Sequence, residues 1–274
     1  MGEIPSAAQA EVLAGEGGLM IRLADGLIRP GAELAVAAST GESLTRLNGR
    51  DYRGSFTIRV SEARGGGGGG GGAGVGSRVT AVNVVDLEEY LVGVVGAELG
   101  TREGTDHAAL QAQAVVSRTI ALQRVASSRQ RAGDYDLLAT VSDQAYTGTG
   151  AENELAAGAV SETRGQVLRY QDRVIDAFFH STCAGRTAAG TEVFGGAERS
   201  YLRSIADADG SGRAWCRISP RFRWRETWTG EALAGTLRES LPRTGHSAEL
   251  AAALRDIRVT ERTGTGRVAR LELL

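Results

Sequence analysis

At 274 residues, with 42% hydrophobic and 23% charged residues, the chain is long enough to bury a core as one large domain or two small ones. A net charge of −2 argues against a nucleic-acid-binding surface, and the hydrophobic content argues against disorder. All basic residues are Arg, and no apolar run approaches the roughly 20 residues that a membrane-spanning helix needs.

Residues 1–63 alternate apolar and polar positions in short runs: Leu19, Ile21 and Leu23, then Glu33 to Ala37, then Phe56, Ile58 and Val60. With glycines between them these runs predict strands in hairpins. Tyr52 and Arg53 fit packing at a strand edge. An unbroken glycine run, 65–72, has no strand-to-helix context with a Lys and Ser/Thr after it, so it reads as a flexible hairpin loop and not a phosphate cradle. Residues 78–85, RVTAVNVV, form the returning strand.

The stretch 86–118, DLEEYLVGVVGAELGTREGTDHAALQAQAVVSR, predicts two helices with a polar turn between them. Asp86 is an N-cap, Glu89 completes a capping-box pattern, and Leu87, Tyr90, Leu91, Val94 and Val95 line one apolar face. Gly100 ends the helix. Glu98 follows Val94 by four residues and Val95 by three. The spacing therefore leaves two readings: the stripe has rotated and the carboxylate meets water, or it shares the buried face. A carboxylate in an apolar setting is costly unless it is partnered or protonated. The second helix, capped by Thr105 or Asp106, has a packing face of Ala108, Ala109, Ala112, Val115, Val116, Thr119 and Leu122. Gln111, Gln113 and Arg118 are left as polar groups able to reach a cleft.

Beyond it, 126–136 reads as a loop by composition, 136–146 as a short strand and turn, and 154–163 as a helix with Gly165 as its C-cap. A hairpin pairs 166–170 with 174–179, 231–241 is a helix, and 256–274 holds an antiparallel pair. The three tryptophans in 214–230 read as core. Hairpins and helices in this mixture predict an α+β fold of strands packed around the central helix pair.

YLVGVVGAELG followed by HAALQAQAVVSRTIAL resembles the central signature of the SpoIID/LytB family. So do SDQAYTG (142–148), AVSETRGQVLRYQDRVIDAFFHSTCAGRT (159–187) and YLRSIAD (201–207), all in the family's order. The resemblance runs from about Tyr52 onward. It implies a SpoIID-like domain over 51–274, behind a β-rich segment at 1–50, with a C-terminal end that stops short of the family's last strand pair.

Members of that family are lytic transglycosylases of cell-wall peptidoglycan, or non-catalytic enhancers of a wall amidase. The resemblance thus implies peptidoglycan glycan strands as substrate, a wall amidase as a candidate partner, and an extracytoplasmic location. The start MGEIPSAAQAEVLAG lacks a signal peptide's basic and apolar segments, which for such a family implies a trimmed or processed form. The resemblance marks Glu98 as the catalytic acid and base. It offers Gln113, Arg118, Gln144, Tyr146, His180 and Ser181 as glycan contacts, with Arg118 or Tyr146 stabilising charge. Asp143 is the candidate second carboxylate if the reaction is hydrolysis.

FFHSTCAGRT (178–187) admits three readings: a Cys–His nucleophile, a metal site, or a disulfide. Sequences of the family this chain resembles often carry the histidine here without the thiol, which argues against a thiol nucleophile and an obligatory metal. Cys183 and Cys216 are the only two cysteines, so a disulfide in an oxidising compartment is the plainer expectation. No cofactor is then needed. Zinc held by His180, Cys183 and Cys216 is the alternative.

Overall fold

The structure is a computed structural model that describes residues 10–15, 18–23, 26–37, 44–62, 77–100, 106–131 and 134–274; the glycine run lies outside them. The chain falls into two compact units, Met1–Phe178 and Phe179–Leu274. Both mix helices with small antiparallel sheets, giving the α+β class the sequence implies.

The first unit opens with two three-stranded antiparallel sheets. β1 (Glu11–Gly15), β2 (Gly18–Leu23) and β3 (Gly26–Gly31) form one. The other orders β4 (Glu33–Ala37), β7 (Ser55–Glu62) and β8 (Ser77–Val84), with β7 in the middle. Phe56 and Ile58 alternate with polar residues on β7, so the strand's pleat puts both on the face that meets Leu19 of β2. A small hairpin, β5 (Thr45–Leu47) with β6 (Arg50–Tyr52), turns through Asn48 and Gly49, both at positive φ.

Helix α1 (Leu87–Leu99) starts where the sequence places it: the Asp86 carboxylate accepts from the Glu88 N–H at 2.8 Å. Its apolar stripe, Tyr90, Leu91, Val94 and Val95, is buried against α2 (His107–Arg131) and α3 (Glu154–Glu162). Each such side chain contributes on the order of 1.5–3 kcal/mol by leaving water. Tyr52 and Phe56 meet edge to face at 5.1 Å, and Tyr52 touches Tyr146 at 6.0 Å, so one aromatic column joins the strand core to the helix core.

Several expectations are corrected. α2 runs on to Arg131, through the segment that composition marks as a loop. Ala, Arg and Gln favour helix there, and the Ser127 and Ser128 hydroxyls donate back to the Gln123 and Val125 carbonyls. Its buried face is Leu110, Gln113, Ala114, Ser117, Arg118 and Ala121, whereas Ala108, Ala109, Ala112 and Leu122 are exposed. Residues 136–146 form turns and no strand, because local side chains satisfy the backbone: Asp143 accepts from Leu138 N–H at 2.9 Å. Thr163, not Gly165, caps α3; its hydroxyl donates to Ala159 O at 2.7 Å, and Gly165 at φ +73° carries the chain away. The hairpin after it shrinks to β9 (Arg169–Tyr170) and β10 (Arg173–Val174).

The second unit holds short helices α4 (Gly190–Phe194), α5 (Gly230–Ser240) and α6 (Leu250–Ala253), and the bulged hairpin β11 (Ile257–Arg262) and β12 (Val268–Leu273). Arg267 in its turn donates to Cys183 O at 2.8 Å and Arg186 O at 2.9 Å, tying the hairpin to the cysteine loop. Trp215, Trp224 and Trp228 are 59%, 74% and 50% exposed, which overturns their assignment to a core. Among the described residues no helix is long and apolar enough to cross a membrane.

Gly93 and Gly96 lie one turn apart on α1 and let a loop backbone press against the helix. A Cβ at Gly96 would stand 1.9 Å from Ala151 O, and one at Gly93 would stand 3.0 Å from Gly148 O. Gly96→Ala is therefore expected to destabilise the unit by roughly 2–3 kcal/mol through overpacking, read from the midpoint of urea unfolding.

Candidate functional site

Glu98 sits in the last turn of α1, half-buried, and its Oε1 accepts the Ala145 N–H at 2.9 Å. So neither sequence reading is complete: the carboxylate is partly covered and has a partner, a backbone amide from a loop 47 residues away. Among the described residues no hydrogen bond reaches Oε2.

The loop carrying Ala145 is held on every side. Arg124 Nε lies 2.8 Å from Asp143 Oδ1 as an ion pair, though its N–H does not point at the carboxylate in a hydrogen bond. Gln144 is fully buried and accepts from the Tyr90 hydroxyl at 3.1 Å through Oε1. The Tyr146 hydroxyl donates to Asn83 Oδ1 at 3.2 Å while its ring packs on Tyr90, centroids 4.9 Å apart. Burial pushes the Tyr146 phenol up to about 12, with the Glu152 charge adding to it. Burial raises Tyr90 still further, helped by Asp143 and by the neighbouring Tyr146 and Glu98. Both hydroxyls thus stay protonated donors across the physiological range.

Of the residues singled out from the sequence, Glu98, Gln144 and Tyr146 come together in this corner. Arg118 does not face it. Its guanidinium, 1% exposed, is committed to Glu88 at 2.6 and 2.9 Å and to the Gln166 and Val160 carbonyls. Gln113 is buried and donates to Ser117 Oγ at 3.1 Å. Asp143 is held by Arg124 and Leu138 N–H.

A depression of about 230 Å³ lies elsewhere, between α1 and α3 beside Arg53, Glu88, Glu152 and Arg164. Of its three lining carboxylates, Glu88 and Glu152 are paired, with Arg118 and Arg53, and Glu89 is the third. Glu98, oriented by a loop amide and with no ion pair among the described residues, is the better candidate.

Asn83, Gly93 and Gly96 were not singled out from the sequence, and Tyr90 was named only as part of the apolar face. Two glycines three apart on one apolar helix are the only local trace of the loop's close approach.

His180 and Ser181 lie in the second unit and are exposed. Nearby, Cys183, Asp207 and Cys216 each bring one ligand atom within 4.8 Å of the others. The Cys183 thiol donates to Asp207 Oδ2 at 3.0 Å, and the two sulfurs are 3.7 Å apart as free thiols. His180 is not in this group; Asp207 takes the place the sequence assigned to it. Two thiols and a carboxylate are a donor set that suits zinc. Burial, then the bond to Asp207, pushes Cys183 up to about 11. Cys216 goes the other way: burial opposes its ionisation, but bonds from the Cys183, Gly185 and Ala184 backbone and the Cys183 thiol outweigh it and lower its pKa.

The SpoIID family model, described as stage II sporulation protein, matches residues 75–170, which include Glu98 and Ala145 and exclude both cysteines. Stage II sporulation protein D of Bacillus subtilis (strain 168) is 28% identical over 162 residues, covering 54% of this chain and 45% of that protein. Its namesake in Bacillus amyloliquefaciens is 30% identical over 155 residues, covering 52% and 42%. The chain thus spans less than half the length of these curated relatives. No solved structure matches it significantly.

Two outcomes are expected here. Arg118→Met leaves Glu88 unpaired in a half-buried setting and should cost roughly 3 kcal/mol in chemical denaturation, the low end for a broken buried pair. Iodoacetamide should modify Cys216 well before Cys183 at neutral pH, because only the thiolate reacts and the Cys183 thiol ionises only near its raised value, as peptide mass mapping would show.

Proposed function

We propose that this chain is a SpoIID-family peptidoglycan lytic transglycosylase acting outside the cytoplasm, with Glu98 as its single acid and base, a reading supported by the family-model match over residues 75–170. The observation that carries this reading is the Glu98 carboxylate itself, half-buried and oriented by one backbone amide, with no hydrogen bond to Oε2 from the described residues.

The chemistry needs only one such group. Protonated Glu98 gives its proton to the bridging oxygen as the bond from the anomeric carbon of N-acetylmuramic acid breaks. The resulting carboxylate takes the proton of the C6 hydroxyl as that oxygen bonds to the same carbon. The product is a 1,6-anhydro end, the proton is returned to Glu98, and no water enters. A hydrolase would need a second carboxylate with freedom to activate water. Asp143, fixed by Arg124 and Leu138 N–H, is poorly suited to that task.

A second reading is a non-catalytic wall-binding protein that enhances a partner amidase. It draws on Arg118 and Tyr146, the groups offered for charge stabilisation, both of which are buried and already bonded. In either reading we assign the cysteine pair, free thiols in this structure, no catalytic part, with closure to a disulfide or zinc binding with Asp207 as its alternatives.

Glu98→Gln keeps the size of the side chain and an oxygen for Ala145 N–H. The expected result is a folded protein whose release of anhydro ends from amidase-stripped peptidoglycan falls by at least about a thousandfold. An unchanged rate ends the proposal. Unchanged enhancement of an amidase, with no anhydro product from the wild type, would favour the second reading.

A further inference from the structure

Tyr90 and Glu98 stand on the same helix, eight residues and about 12 Å apart along its axis, too far for direct contact. The loop across from them joins the two. Gln144 and Ala145 are consecutive: the Gln144 side chain accepts from Tyr90 OH, and the next peptide N–H reaches Glu98 Oε1. Gln144 is fully buried, and its amide nitrogen has no partner among the described residues. The Tyr90 hydroxyl is therefore the one hydrogen bond the described residues give that amide group. Without it the amide would be buried with neither end satisfied, and the segment would turn to find partners. The N–H of Ala145 would move with it.

We propose that Tyr90 is a positioning residue for Glu98, acting through the Gln144–Ala145 segment. The proposal rests on the reading of Glu98 as the reacting carboxylate. Tyr90 does not touch the substrate in this arrangement. It fixes where the Ala145 N–H points, and that N–H engages Glu98 Oε1 and so orients the carboxylate. The ring of Tyr90 has a separate task, packing on Tyr146, so deleting the hydroxyl alone separates the two.

The test is Tyr90→Phe, measured against wild type for turnover on amidase-stripped glycan strands and for amide hydrogen exchange at Ala145. A misplacement on the scale of an ångström lowers turnover by about tenfold to a hundredfold, so kcat should fall by that factor with KM within about twofold. Ala145 should exchange about tenfold faster while the amides of α2 and α3 keep their protection. Gln144→Leu should lower kcat similarly, and adding Tyr90→Phe to it should lower it no further. Wild-type kcat in Tyr90→Phe overturns the proposal. So does a uniform loss of protection with kcat and KM changing together, which marks a purely structural role. If the wild type itself makes no anhydro ends, the transglycosylase reading has failed and exchange alone decides: faster exchange at Ala145 upholds the link, and unchanged exchange overturns it.

Discussion

The first unit depends on one close approach, that of the loop after Tyr146 to the bare backbone of α1. No residue with a side chain fits at Gly96, where Ala151 O occupies the space a Cβ would take. That contact sets how near the loop can lie, and the nearness lets an amide at Ala145 reach a carboxylate on the same helix. The tyrosines extend the same constraint. Tyr90, Tyr146 and Tyr52 fill the volume beside the loop, and their hydroxyls and rings fix its height over the helix. Glu98 is thus oriented by packing that begins several residues away from it.

The helix pair is held by a different kind of interaction. α2 presents Gln113, Ser117, Arg118 and Thr119 to the interior, where polar groups are costly unless each finds a partner. Each does: Arg118 reaches Glu88 and two carbonyls, and the Thr119 hydroxyl donates to Val115 O and accepts from Leu168 N–H. Such a network contributes modest net stability, because desolvation offsets most of the Coulomb gain, but it permits only one register between the helices. Fixing that register also fixes the rotation of α1 and with it the direction of Glu98.

What could be read from the sequence follows from range. The Asp86 cap, the apolar stripe of α1, the β7 alternation and the 256–274 hairpin are local patterns, and all appear in the structure. The length and face of α2 were misread for a physical reason: hydropathy takes Arg118 and Gln113 as polar groups outside the core and the alanines beside them as core, whereas the partners that satisfy Arg118 lie far along the chain. Glu88 is 30 residues from Arg118, and Val160 is 42. The tryptophans were misjudged because clustered large aromatics more often close a core, whereas here all three are at least half exposed. Glu98 could be found because a carboxylate at the edge of an apolar stripe is conspicuous. Its partner could not, since a backbone N–H carries no side-chain signature.

The central claim is that one carboxylate, set by a loop amide, breaks a glycosidic bond without water. The most direct test is to digest purified, amidase-stripped peptidoglycan in water enriched in heavy oxygen and to analyse the muropeptides by mass spectrometry. The account predicts products that end in 1,6-anhydro-muramic acid and carry no heavy oxygen, since the attacking oxygen belongs to the sugar. Reducing ends labelled with heavy oxygen would show that water is the nucleophile and would contradict it.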